Sequence, residues 1–194
     1  MNTTTAIQPP PCPMRPGRSL GEIRNNWTLP GWGWQVKVNE ERGVFRHFDA
    51  TLWNRHGQPF DTYKTAHFRD ALEGMASFAW GDRDLVDMGL VGLRDKSAFG
   101  ESRGAVIVYD LPSSLPWRER YRILSDLVPP IDLIAGERML PGMIYRLPEE
   151  YHAGQLFERT AGVAGLEGVV GRNLESPYIY AETAQMAKAK WSGK

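Results

Sequence analysis

Apolar and polar residues alternate most clearly over residues 32–38, WGWQVKV, with the two-residue period of a half-buried β-strand. The run 43–48, GVFRHF, follows closely, and we interpret it as the hairpin partner of this strand, with the turn at 40–42. A third short strand at 50–57, ATLWNRHG, ends in a turn. Lys37 places a single charge in the middle of the first apolar run, and its role needs an explanation.

The remaining pattern predicts helices interspersed with short strands. Residues 62–80 carry apolar side chains mostly three and four positions apart, which indicates an amphipathic helix. Further helices are predicted at 114–128, beginning near Ser114 and Pro116, and at 148–163. Strands are predicted at 85–93, 105–112, 131–135, 142–146, 166–173 and 180–191. The chain has no internal repeat, and this order of elements predicts a mixed, largely antiparallel α+β domain.

Length and composition predict one folded domain with a tail. A chain of 194 residues with 42% hydrophobic residues can bury a core of ordinary size. Residues 1–18 are rich in proline and threonine and carry too few large apolar side chains to offset the entropy lost on ordering. We therefore interpret 1–18 as a flexible Pro-rich tail and 19–194 as the domain.

Charge and cysteine content indicate how the protein could bind a polyanion and which cellular compartment it occupies. The 23 basic residues balance the 23 acidic ones, so any polyanion must bind at a local patch. The single cysteine, Cys12, cannot form an internal disulfide, which is typical of a reducing compartment. The sequence contains neither an apolar stretch of about 18 residues nor a signal-peptide core. We expect a cytoplasmic protein that does not associate with a membrane.

Five short motifs occur in a recognisable order along the chain. They are KVNEER at 37–42, NRHG at 54–57, VYDLP at 108–112, EGVV at 167–170 and KAKW at 188–191. This series resembles that of the covalent nucleotidyltransferases, which include ATP-dependent DNA ligases, RNA ligases and mRNA capping enzymes. In that superfamily the motifs are K-x-D-G-x-R, an S-R-N-G-like element, an aromatic residue followed by aspartate, E-G-V-V and K-x-K.

The resemblance implies both a fold and a nucleophile. The fold would be the ATP-grasp-like nucleotidyltransferase domain of ligases, with two mainly antiparallel sheets flanked by helices. Lys37 would attack the α-phosphate of ATP and hold AMP as a phosphoramidate. Only a neutral amine can attack phosphorus, and partial burial and neighbouring cations favour that form of a lysine. A position among tryptophans on a strand meets the first of these conditions.

The other residues implied by the resemblance bind the nucleotide or its metal. Glu167 would help to bind Mg²⁺, a hard cation that prefers carboxylate oxygen. The nucleotide-binding residues would be Arg42 and Arg55 on ribose and phosphate, Tyr109 stacked on adenine, Gln35 at the adenine edge, and Lys188 and Lys190 on the α-phosphate.

Two motifs depart from the family pattern. Asn39 and Glu40 replace the Asp-Gly of the first motif. Asparagine keeps an acceptor without the charge, whereas glutamate replaces a residue that freely adopts positive φ. The third motif, D-G-E-L, aligns with DMGL at 87–90, so its glutamate is missing, and Asp87 or Asp84 is the candidate substitute. We also expect no room for the family's C-terminal oligonucleotide-binding domain, which would make this a minimal ligase.

The sequence leaves several functions open. Our first hypothesis is a monomeric ATP-dependent polynucleotide ligase that uses ATP and Mg²⁺ to seal 5′-phosphate to 3′-hydroxyl breaks, with nicked DNA as the chosen partner. An RNA ligase is the alternative favoured by Asn39, and a capping enzyme using GTP fits less well. Loss of the metal carboxylates would instead give a non-catalytic relative that binds nucleotide or nucleic acid. An unrelated α+β domain would bind neither.

Overall fold

The computed structural model describes residues 10–24, 26–61, 65–80, 83–94 and 99–191. Over these ranges it contains three α-helices: α1 Arg69–Ser77, α2 Trp117–Leu127 and α3 Ala153–Arg159. The strands are β1 Arg15–Ser19, β2 Trp32–Val38, β3 Glu41–Arg46, β4 Thr51–Asn54, β5 Leu85–Leu90, β6 Val106–Asp110, β7 Ile144–Arg146, β8 Leu166–Asn173 and β9 Glu182–Lys190. No helix in the described part of the chain has the length and apolar character needed to cross a bilayer.

The strands form two separate sheets. The first has the order β1-β9-β8-β2, and the second has the order β4-β3-β5-β6-β7. Neighbouring strands are antiparallel except for two parallel pairs, β1 with β9 and β6 with β7. The predicted class, an α+β fold of two mainly antiparallel sheets flanked by helices, is therefore confirmed.

Helices cover the outer faces of both sheets. Helix α3 packs on β2 and β8 of the first sheet and buries Leu156 and Phe157. Helices α1 and α2 pack on β7 and β6 of the second sheet, where Met75 and Leu124 are buried. Burial of these apolar stripes drives the layers together. Residues of both sheets also line a common cleft.

The predicted hairpin between 32–38 and 43–48 is wrong, because β2 and β3 belong to different sheets. The outer edge of β2 is already occupied by Glu150, whose backbone exchanges hydrogen bonds of 2.7 and 2.8 Å with Trp34. The chain therefore leaves the first sheet after Val38 and begins the second at Glu41. Of the turn predicted at 40–42, only Glu40 lies in this connection between sheets, because Glu41 and Arg42 already belong to β3.

Two other predicted elements near the cleft also differ from the structure. The helix predicted at 148–163 begins only at Ala153, because the backbone of Glu150 is committed to Trp34. The strand predicted at 131–135 is a turn, in which Asp132 accepts hydrogen bonds from the backbone N–H groups of Ile134 and Ala135. The strand predicted at 166–173 has the predicted bounds, and the other remaining strands and the helix at 114–128 are present with shorter bounds.

The predicted flexible tail is partly wrong. Residues 15–19 form β1, which runs parallel to β9 and completes the edge of the first sheet. Backbone pairing can hold a segment that has few apolar side chains, which is why composition alone misassigned it. Residues 1–9 lie outside the described part of the chain, as do residues 62–64 of the helix predicted at 62–80.

A buried ion-pair cluster ties α2 to the second sheet. The Arg120 side chain is 0% exposed, and its Nε lies 2.7 Å from Asp110 Oδ1 at the end of β6. Arg120 Nη1 also donates to the carbonyl oxygens of Ser176 and Leu115. Arg172 Nε lies 3.7 Å from the other oxygen of Asp110, and its guanidinium stacks 4.5 Å above the Trp117 ring. These contacts join α2, β6, β8 and the segment preceding β9.

Replacing Arg120 by methionine should lower the free energy of unfolding by about 3–5 kcal/mol, because it leaves Asp110 as a buried charge without its main partner. The matched control is Arg122→Met on the same helix. Arg122 makes only an exposed ion pair with Asp126, so its loss should change stability by less than about 0.5 kcal/mol. Urea denaturation of both variants tests this expectation, and equal losses would contradict it.

Candidate active site

A cleft of about 360 Å³ separates the two sheets, a volume within the usual range for small-molecule sites. The first sheet contributes residues of β2, β8 and β9, and the second contributes the start of β3 and the end of β6. The predicted site residues in its wall are Lys37, Arg42, Arg55, Tyr109, Lys188 and Lys190. Residues from all five sequence motifs thus line the cleft wall, although EGVV contributes Val170 and not Glu167.

One carboxylate joins two lysines on the first sheet. Glu167 Oε2 lies 2.7 Å from Lys37 Nζ and 2.5 Å from Lys190 Nζ. The lysines come from β2 and β9, which flank β8 on either side. The structure therefore brings together the predicted nucleophile, one of the predicted phosphate ligands and the predicted metal ligand. Their chemical roles stay predictions.

Gly168 makes this triad possible. It pairs with Lys37 on one side and with Lys190 on the other, so both lysines project over a residue that has no side chain. The pairing of β2 with β8 is irregular here, because Val38 pairs with Leu166 and Glu167 is left over. Gly168 has φ +136°, which turns the chain locally and brings Glu167 to the two ammonium groups.

The two lysines also set the charge of Glu167. Burial acts to raise the pKa of this carboxyl, but hydrogen bonds and charge from Lys190 and Lys37 outweigh burial and lower the pKa below its usual value. The carboxylate is therefore ionised at neutral pH. It partly offsets the two positive charges, which would otherwise repel each other across β8.

Arg42 is held rigidly on the opposite wall. Its guanidinium forms a two-pronged pair with the Asp87 carboxylate on β5, with Nε 2.7 Å from Oδ1. Asp87 also accepts a hydrogen bond of 2.7 Å from the hydroxyl of Tyr178, which in turn accepts one from the backbone N–H of Met14. A pair with this geometry fixes the arginine at the cleft edge.

This pairing bears on the missing glutamate of the third motif. Asp87 is fully buried, and Arg42 and Tyr178 occupy its oxygens, so it is not available to a ligand in the cleft. Asp84 precedes β5 and accepts a hydrogen bond from the backbone of Phe48, away from the cleft residues. Neither of the two substitutes considered from sequence fills the role.

Gln35 is placed differently from the expectation at the adenine edge. Its side chain is 1% exposed, its Nε2 donates to the Leu147 carbonyl and its Oε1 accepts from Arg172. Both ends of the amide are therefore engaged within the protein. Gln35 supports Arg172, which itself lines the cleft, and does not line the cleft itself.

Glu40 is a cleft residue to which sequence analysis gave no role. Its carboxyl lies beside the Tyr109 hydroxyl, within the electrostatic reach of Lys37 and Arg42. Burial is the largest influence and raises the pKa of Glu40 above its usual value, although the two cations act in the opposite direction. The only sequence signal was the departure from glycine at this position of the first motif.

Basic side chains outside the motifs complete the cleft. Arg15 on β1, Arg94 after β5 and Arg172 on β8 all line it, together with the predicted Arg55 and Lys188. No local sequence pattern identifies Arg94 or Arg172, because they lie in distant segments that only the fold brings together. The cleft is therefore rich in cations that suit a polyphosphate.

Solved structures of DNA ligases share this fold. The ligase domain of M. tuberculosis LigD aligns with a TM-score of 0.61 and 14% identity, covering 93% of this chain and 59% of that chain. A mycobacterial DNA ligase D complexed with ATP gives 0.62 and 15% identity, over 93% of this chain and 60% of that chain. The Chlorella virus DNA ligase-adenylate gives 0.57 and 12% identity, over 92% and 68% of the two chains.

These likenesses define the fold of the chain. It has the fold of a DNA ligase's ligase domain, in agreement with the nucleotidyltransferase architecture implied by the sequence motifs. The chain spans about 60% of the length of the ligase D structures that it matches. In comparisons by sequence, no protein-family model and no curated protein matches it. At 12–15% identity, activity and substrate belong to the proposals below.

Gly168→Ala should destabilise the protein by at least about 3 kcal/mol, because a Cβ there would lie 2.1 Å from the Ala189 carbonyl oxygen in the neighbouring strand. The matched control is Gly162→Ala. Gly162 also has positive φ, at +71°, but no atom lies within 4 Å of its added Cβ, so only the conformational cost of about 1–2 kcal/mol applies. Thermal and urea unfolding compare the two variants. Similar losses would show that the approach of β9 is not the constraint.

Proposed function

We propose that this protein is an ATP-dependent polynucleotide ligase that works through a lysyl-AMP intermediate on Lys37. The observation that carries the proposal is the ion-paired triad of Lys37, Glu167 and Lys190 in the cleft between the sheets. The fold shared with ligase domains supports the same chemistry. An amine beside a second cation, in a cation-rich cleft, suits attack on a phosphoanhydride.

The first step would charge the protein with AMP. The nitrogen of Lys37 bonds to the α-phosphorus of ATP, the bond from that phosphorus to the bridging oxygen breaks, and pyrophosphate leaves. Glu167 holds the Lys37 side chain toward the cleft, while Lys190 and Lys188 neutralise charge on the α-phosphate. The Lys37 ammonium gives one proton to solvent before it attacks and a second as the phosphoramidate forms, and the ion pair with Glu167 keeps the side chain in position until the nucleotide arrives.

Two further transfers would complete the sealing of a break. An oxygen of the terminal 5′-phosphate attacks the phosphorus of AMP, the phosphorus–nitrogen bond breaks, and Lys37 regains its proton. The adjoining 3′-hydroxyl then loses its proton and attacks the 5′-phosphorus, and AMP leaves as the new phosphodiester forms. The basic rim formed by Arg15, Arg55 and Arg94 would contact the phosphates of the bound strand.

The cleft suits a divalent cation bound together with the nucleotide. Mg²⁺ commonly uses one or two protein carboxylates and takes its other ligands from phosphate and water. Glu167 offers an ionised, buried carboxylate between Lys37 and Lys190, which both line the cleft, and it would hold the ion. Bound there, Mg²⁺ would neutralise charge on the triphosphate. The described residues contain no group of three carboxylate, histidine or cysteine side chains suited to binding the ion alone.

The first test is the intact mass of the protein after incubation with ATP and Mg²⁺. The wild type should gain the mass of one AMP, and GTP should give no comparable adduct. Lys37→Ala should abolish the gain, and so should Lys37→Arg, because a guanidinium keeps the charge but is not a nucleophile. Arg122→Ala, a change at an exposed position on α2, should leave the gain intact.

Two outcomes would overturn the assignment. An adduct that persists in Lys37→Ala would place the nucleophile elsewhere. ATP binding without an adduct in the wild type would instead support a non-catalytic nucleotide-binding protein.

Nicked DNA should be sealed faster than the same nick in RNA or in a hybrid, because the structures that share the fold are DNA ligases. Labelled nicked duplexes in gel assays measure the three rates. A nick supplied with a pre-adenylylated 5′ end should be sealed even by Lys37→Ala, because that substrate bypasses the first step. Faster sealing of the RNA nick would favour the RNA-ligase alternative that Asn39 suggests.

A further inference from the structure

Two departures from the motif pattern meet at one place in the cleft. A Cβ built on Gly89 would lie 2.4 Å from Glu40 Cγ and 2.9 Å from Glu40 Cδ. The side chain of Glu40 therefore fills the space that a side chain at position 89 would enter. Arg42 pairs with Gly89 across β3 and β5, so this space lies next to Arg42 on the wall of the second sheet.

The surroundings of Glu40 suit a carboxylate that binds a ligand. It lines the cleft, and its carboxyl lies beside the Tyr109 hydroxyl. Lys37 and Arg42 supply positive charge, and Arg42 donates hydrogen bonds from Nε and Nη2 to Asp87. Burial raises the pKa of Glu40, although the charges of Lys37 and Arg42 and a hydrogen bond from Tyr109 act in the opposite direction.

The position of Glu40 along the cleft indicates which part of a nucleotide it would contact. Tyr109 is the residue proposed for the base, and Lys37 is the residue proposed for the α-phosphate. Glu40 lies close to the Tyr109 hydroxyl and is near enough to Lys37 for their charges to interact. In any nucleotide the ribose lies between base and α-phosphate, and its 2′- and 3′-hydroxyls are hydrogen-bond donors that a carboxylate can accept.

We propose that Glu40, placed between β2 and β3, supplies the cleft carboxylate that position 89 lacks, and accepts hydrogen bonds from the ribose hydroxyls of bound ATP. This inference rests on the proposed function of the same cleft. The glutamate at position 40 and the glycine at position 89 would then be two halves of one exchange, in which the carboxylate moves from one position to the other. A glutamate at 89 would collide with Glu40, whereas glycine at 89 gives Glu40 the room to reach the cleft from the connection between the sheets.

The test is a swap of the two residues. Glu40→Gly, Gly89→Glu and the double variant are compared with the wild type for binding of an ATP analogue with a methylene bridge between the α- and β-phosphates. Losing hydrogen bonds to a charged group should weaken binding by at least about tenfold in Glu40→Gly. Gly89→Glu should also be impaired, because its side chain meets that of Glu40. The double variant should recover to within about fivefold of the wild type.

Two controls make the result specific to a ribose contact. Wild-type binding should weaken when ATP is replaced by its 2′-deoxy or 3′-deoxy form, and Glu40→Gln should lose most of that discrimination. Glu41→Gln removes the neighbouring carboxylate and should retain it. Thermal unfolding shows whether each variant is folded, so that a collapsed Gly89→Glu is not mistaken for a binding defect.

The inference fails if Glu40→Gly binds the analogue as tightly as the wild type, or if the folded double variant is no better than Glu40→Gly. It also fails if Glu41→Gln loses the discrimination equally, because the effect would then reflect general negative charge. These outcomes are separate from failure of the proposed function. A wild type that binds ATP with the expected dependence on Glu40 but forms no adduct would overturn ligase chemistry and leave the ribose contact standing.

Discussion

The ion pairs that Glu167 makes with Lys37 and Lys190 are the interaction on which the cleft depends. Two ammonium groups projecting over the same glycine would repel each other, and the carboxylate between them converts that repulsion into attraction. Because the lysines lie on strands that flank β8, the same contact also ties three strands of the first sheet together at the cleft floor. Glu167 can reach them only because Gly168 allows the irregular pairing.

The opposite wall is fixed by a different arrangement of charge. Arg42 is held by Asp87, and deeper in the molecule Asp110 lies between Arg120 and Arg172. Each carboxylate is fully buried and each has an arginine in hydrogen-bond range, so the cost of burying charge is largely compensated. A rigid wall matters, because residues that bind a nucleotide act through their positions, and errors of about 1 Å weaken such contacts sharply.

Sequence reasoning could predict what depends on local pattern. The alternation around Lys37 and the apolar run ending at Tyr109 define their strands. The resemblance implied that both residues contact one nucleotide, and both line the same cleft. The failures have a common cause in contacts between distant segments. Glu150 pairs with the edge of β2, which prevents the predicted hairpin and makes α3 begin later than predicted. Pairing with β9 makes residues 15–19 a strand although their composition is typical of a flexible tail. Similarly, Arg172 donates a hydrogen bond to the side-chain amide oxygen of Gln35. No window of neighbouring residues contains this information.

The pairing of positions 40 and 89 extends the same point to the chemistry of the site. Compared motif by motif, the chain lacks a glycine in one place and a glutamate in another, and each change alone suggests a damaged site. In three dimensions the two positions share one volume beside Tyr109, and that volume still contains one carboxylate. The carboxylate of Glu40 occupies the space that a side chain at position 89 would enter, and the two positions reach this space from β5 and from the connection that precedes β3. A motif records only one of those routes, so an apparent loss in sequence does not by itself imply a loss of chemistry.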